Sequence, residues 1–139
     1  MPIDPALRAA YRAARYIVYH DGREVVMQVG ALCPELDALL EDEGGERAAF
    51  LTPYNPRGVP QHEDQNLQAM ADLIRALERM PYDWHLGEGN DPGGEWPHEP
   101  SLLIVGIPLE EARALGERFG QLAIVYIERG GPAELVELA

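Results

Sequence analysis

The pattern of apolar and polar positions divides this chain into helix-sized and strand-sized pieces. Ser101 to Gly106 and Leu122 to Ile127 are short apolar runs rich in β-favouring residues and predict interior strands. Between them Leu109, Ala112, Leu115, Gly116 and Phe119 share one helical stripe, Glu110 and Glu111 sit near the helix N-terminus, and Gly120 supplies a left-handed stop. A first helix is expected to open at Asp4-Pro5 and to bury Leu7, Ala10, Tyr11 and Ala14. Tyr16 to His20 and Glu24 to Val29 read as a hairpin about Asp21-Gly22, which sets Ile17 opposite Val26. Pro34 can open a short helix with Leu36, Leu39 and Leu40 inward and Gly44-Gly45 at its end.

An apolar strand is predicted at Arg47 to Thr52, and the longest helix from about Glu63 to Met80. That helix should bury Leu67, Met70, Ala71, Ile74 and Leu77, with Asn66 beside the stripe. Tyr82 to Gly87 is a weaker strand, and Leu135 to Leu138 a last edge strand. Two segments rich in proline and glycine fall between these pieces. Pro53 to Gly58 should be a shaped loop, and Gly87 to Pro100 a long irregular one of the kind that often carries function.

The resulting order, αββαβ followed by αββαβ, predicts a single α+β domain over residues 1–139 with a mixed central sheet. A competing partition takes Arg47 to Glu128 as a ferredoxin-like βαββαβ core, whose two central strands would be Ala48 to Thr52 and Leu102 to Gly106.

Charge and cysteine usage narrow the functional classes. A formal net charge of −13 argues against nucleic acid, because phosphate binding needs clustered cations. All eleven positive residues are arginine, so lysine Schiff-base chemistry is excluded. No apolar run approaches the ~20 residues of a membrane helix. The single Cys33 allows no internal disulfide, which fits a reduced compartment and a cytoplasmic location.

The candidate chemistry is local and sparse. Asn55 and Arg57 follow the exit of an apolar strand, where ligands often bind in α/β folds, and could form a polar cluster with Asn66, Glu99 and Gln121. Arg57 would suit a carboxylate or phosphate. The structural reading is that Asn55 and Gln121 pin irregular backbone while Arg57 is exposed. Trp84 and Trp96 are either anchors for a partner or covers for the core. Glu88, Asp91 and Glu99 could divide into a general acid and a general base. With His85 and His98 they supply metal-ligand types, but no histidine pair has the i, i+4 spacing of a zinc helix, so no metal and no cofactor are expected. Ser101 lacks a nucleophile elbow, and Cys33 suits a small residue at a helix start.

Leu51-Thr-Pro-Tyr-Asn-Pro56, Asn66, Trp96-Pro-His-Glu-Pro-Ser101 and Phe119-Gly-Gln-Leu-Ala-Ile-Val125 together resemble a family of small bacterial proteins known as domain of unknown function 3293. The likeness runs from Ala10-Tyr-Arg12 to Leu135-Val136, although Cys33 and Pro108 stand where serine-like caps are expected. The resemblance implies no established activity and hence no catalytic residues to carry over. The expectation is a cytoplasmic binding or regulatory module. Its partner would be a protein or a small molecule rather than nucleic acid or membrane, with pairing of two copies through an edge strand left open. The alternative is a small-molecule hydrolase with its site between the 53–58 and 87–99 loops.

Overall fold

A computed structural model describes residues 3–94 and 98–138, in which helices and strands follow the expected order. They are α1 (Pro5–Ala13), β1 (Arg15–His20), β2 (Arg23–Met27), α2 (Pro34–Asp42), β3 (Arg47–Leu51), α3 (Glu63–Leu77), β4 (Asp83–Asn90), β5 (Glu99–Val105), α4 (Leu109–Arg118), β6 (Ala123–Glu128) and β7 (Glu134–Glu137). A single 3-10 turn, Pro56–Gly58, lies between β3 and α3.

The strands form one sheet in the order β2-β1-β4-β5-β3-β6-β7, with β3 and β5 adjacent near its centre. Every strand pair is antiparallel. This corrects the expectation of a mixed sheet, and a four-stranded ferredoxin-like sheet is not what forms. The reason lies in the connections. Hairpins join β1 to β2, β4 to β5 and β6 to β7, while α3 carries the chain from β3 over β5 to β4, and α4 from β5 over β3 to β6. Each of these crossovers steps over one strand, so the parallel partners never become neighbours. The seven strands curl into a half-barrel, and one parallel bridge, Val29 to Ala133, links the chain just beyond β2 to the chain just before β7.

The two sheet faces are packed separately. On one, Tyr16, Val18, Met27, Phe50, Leu103 and Ile127 gather around Leu36, Leu39 and Leu40 of α2. On the other, Leu102, Ile104, Ile124 and Tyr126 meet Leu73 and Leu77 of α3 and Ala112 and Leu115 of α4. Trp84 packs against this second cluster, which is the covering role.

The hairpin register is as expected, Ile17 facing Val26, with Asp21 and Gly22 both at positive φ as a type I′ turn requires. Three local expectations hold only in part. The 87–100 segment is not all loop, because β4 runs through Gly87 and Gly89 to Asn90 and pairs with β5 from Glu99. The α3 stripe is partly rotated: Leu77 is buried and Met70 and Ile74 pack against the core as expected, but Asn66, Leu73 and Ala76 are also buried, and Leu67 is 54% exposed. Of the expected α1 stripe, Ala14 just beyond the helix is buried, whereas Leu7, Ala10 and Tyr11 are only half-buried and Leu7 and Tyr11 roof a cavity.

Phe119 is only half-buried, at the C-cap of α4, whereas Leu115 is buried within that helix. Phe119→Ala should therefore cost about 1–2 kcal/mol rather than the ~3–5 of a fully enclosed aromatic. Denaturant unfolding measures this directly; a loss of more than about 3 kcal/mol would place the ring inside the core.

Candidate functional site

The chain leaving β3 is held in place before it reaches α3. Thr52 accepts a hydrogen bond from the Tyr54 amide at 3.0 Å and donates to the Pro100 carbonyl at 2.7 Å, which ties the strand exit to β5. Asn55 follows in the left-handed region, φ 47° and ψ 64°, and Arg57 is there too, at φ 60°. Non-glycine residues rarely adopt this backbone, and asparagine tolerates it best. The Arg57 amide donates to Gly120 at 2.7 Å, and Gln121 donates through its side-chain amide to Tyr54 at 3.1 Å, so the chain after α4 clamps the loop from its other side.

Asn55 is the centre of the polar network. Its backbone amide donates to Asn66 Oδ1 at 2.9 Å, its Oδ1 accepts from Asn66 Nδ2 at 3.0 Å and from the Gln61 amide at 3.2 Å, and its Nδ2 donates to Glu99 Oε2 at 2.8 Å. Gln61 also donates to Asn66 Oδ1, at 2.8 Å. Asn66 is 3% exposed, which explains the rotation of α3: a buried asparagine on the inner face displaces Leu67 outward.

Asn55, Glu99 and Gln121 line a cavity of about 220 Å³ beneath α1. Its walls are mainly apolar, from Leu7, Phe50, Leu51, Ile124, Val125 and Leu135, with Tyr11, Tyr16, Ser101 and Asp91 among the polar members. Burial raises the Glu99 carboxyl above its ordinary pKa, an effect that the Asn55 hydrogen bond partly opposes. Tyr11 and Tyr16 are also raised, first by burial and then by neighbouring groups that include Glu99. Such a carboxyl can receive a cationic or hydrogen-bond-donating group, or hold a proton for transfer.

The sequence-predicted residues therefore divide. Asn55, Asn66 and Glu99 are joined by hydrogen bonds, and Gln121 reaches the same loop. Arg57 is exposed and points away from this network into an open groove of about 860 Å³ between α3 and α4, with Arg75, Arg79 and Arg118. Trp96 lies outside the described residues. The histidines and acids around residues 91–98 disperse: His98 pairs with Glu88 at 2.6 Å, His85 with Glu43 at 2.7 Å, and Glu99 with Asn55. Ser101 is buried and its hydroxyl donates to the Glu99 carbonyl.

Sequence reasoning missed three residues. Tyr11 stands on the predicted α1 stripe but was assigned to the core, Tyr16 looked like an ordinary strand residue, and Gln61 has no sequence signal at all.

No helix among the described residues is long and apolar enough to cross a membrane. No curated protein and no solved structure matches the chain. A family model described as a protein of unknown function (DUF3293) matches residues 51–124, which hold Asn55, Asn66, Glu99 and Gln121 and make up more than half of the chain, so the protein belongs to the DUF3293 family.

Proposed function

We propose that this protein is a cytoplasmic binding or regulatory module whose ligand is a small molecule held in the cavity beneath α1. The observation that carries this reading is one half-buried carboxyl, Glu99, fixed by Asn55 on the wall of a mainly apolar cavity. Pockets that orient small ligands have this composition, and about 220 Å³ falls below the ~300 Å³ lower end of drug-sized sites, so the ligand is compact. Its chemistry follows from the wall: an apolar body carrying one amine or other donor directed at Glu99. Screening compact apolar amines against their neutral isosteres by thermal shift tests this. Amines should raise the midpoint of the parent protein and not that of Glu99→Gln; equal shifts in both proteins count against the pocket.

A second reading, a hydrolase, draws on Asp91 and Glu99 lining the same cavity. A carboxyl raised by burial can serve as general acid while a second carboxylate activates water. Turnover of small chromogenic esters or glycosides that falls with both Asp91→Asn and Glu99→Gln would favour the enzyme.

Glu99 also predicts a pH signature. Its folded pKa lies above its unfolded value, so the neutral form favours the folded state, and that contribution is lost as pH rises through the folded pKa. Glu99→Gln should accordingly be more stable than the parent at pH 7, with the difference closing as pH falls toward the ordinary carboxylate range. Paired denaturant midpoints across that range measure it, and a difference independent of pH would refute the assignment.

A further inference from the structure

Farther along β4, on the sheet face that also carries Glu99, three side chains from separate elements converge. His20 ends β1, Glu43 caps α2 at its C-terminus and His85 lies in β4. Their donor atoms all lie within 4.8 Å of one another. His85 Nε2 is 2.9 and 2.7 Å from the two oxygens of Glu43, and the rings of His20 and His85 meet edge to face with centroids 5.1 Å apart. We propose that His20, Glu43 and His85 bind one divalent first-row transition metal ion.

The donor set carries the proposal. Two imidazoles and one carboxylate suit zinc, iron and their neighbours, whereas magnesium and calcium prefer all-oxygen sites. Tetrahedral coordination with bonds of about 2.1 Å places ligand atoms roughly 3.4 Å apart, so the three groups need only side-chain adjustment to close on an ion. The His85–Glu43 contact is shorter than that because the two groups are hydrogen-bonded to each other, a contact that an ion would take over. The side chains of His20, Glu43 and His85 are 29%, 18% and 19% exposed, leaving an approach for the ion and room for water at a remaining position. Asp21 Oδ2 lies 3.3 Å from His20 Nε2, a further carboxylate beside the set. Sequence spacing concealed the set, since its members come from a hairpin end, a helix end and a mid-sheet strand.

The test is calorimetric titration of chelator-treated protein with zinc chloride. We expect one equivalent to bind, with a raised unfolding midpoint. Glu43→Gln keeps a hydrogen-bonding partner for His85 and should fold, yet bind zinc more than about 100-fold more weakly. His20→Gln should show the same loss, and His62→Ala, which alters an exposed histidine elsewhere, none. The absence of saturable uptake, or uptake unchanged in both Glu43→Gln and His20→Gln, would overturn the site and leave His85 and Glu43 as an ion pair.

Discussion

Gly87→Ala is expected to lower the unfolding free energy by at least about 3 kcal/mol, at or beyond the upper end of ordinary overpacking. Gly87 sits in the middle of β4, between Val18 of β1 and Ser101 of β5. A Cβ added there would lie 2.2 Å from the Ile17 carbonyl oxygen and 2.9 Å from the Phe50 ring. The first of these atoms is backbone, so no rotamer change can relieve the clash, and β1 would have to move away from β4. The same absence of a side chain is what lets the sheet bend over its inner core, a common role for glycine within a strand. Gly89, two residues along β4, has nothing within 4 Å of its added Cβ and serves as the control. Its alanine variant should be nearly neutral. Equal denaturant midpoints for Gly87→Ala and Gly89→Ala would mean that β1 does not approach β4 as described.

How much of this could be read in advance depended on the range of the interaction that decided it. The β1–β2 hairpin and its register, the inward leucines of α2 and the buried face of α4 follow from turn chemistry and periodicity, and all were legible. Strand direction was not, because it depends on which strand each crossover steps over, and hydrophobicity carries no record of that. Gly87 and Gly89 suggested a loop from composition, yet pairing with β1 and β5 holds both in a strand. The phase of α3 failed at Asn66 for a related reason: periodicity assigns polar residues to the surface, and a buried one shifts the apparent stripe by one position. Asn55, Asn66, Glu99 and Gln121 were named in the sequence, but Arg57, one residue beyond Pro56, joins a different surface because its left-handed backbone turns it outward. The convergence of His20, Glu43 and His85 left no sequence signal.

Asn55→Ala should cost about 3–4 kcal/mol, the second largest effect expected, for two separable reasons. Removing the amide leaves Asn66 Nδ2 and the Glu99 carboxyl without the partners they now have at 3.0 and 2.8 Å, and each stranded buried group costs about 1–3 kcal/mol. Alanine must also occupy φ 47°, a conformation that costs a residue with a Cβ roughly 1–2 kcal/mol. Asn55→Gly removes the second cost while retaining the first, so it should lie between alanine and the parent. Asn55→Asp separates the network in another way. Its oxygens can still accept from Asn66 and Gln61, but the donor facing Glu99 becomes a second acid. Two adjacent carboxyls cannot both ionise cheaply in a half-buried site, so this variant should be destabilised at pH 7 and recover as pH falls and one of them protonates. Denaturant midpoints for the three variants at neutral and acid pH measure all of this. If Asn55→Asp is as stable as the parent at pH 7, the contact with Glu99 is not made, and the cavity loses the anchored carboxyl on which its proposed ligand depends.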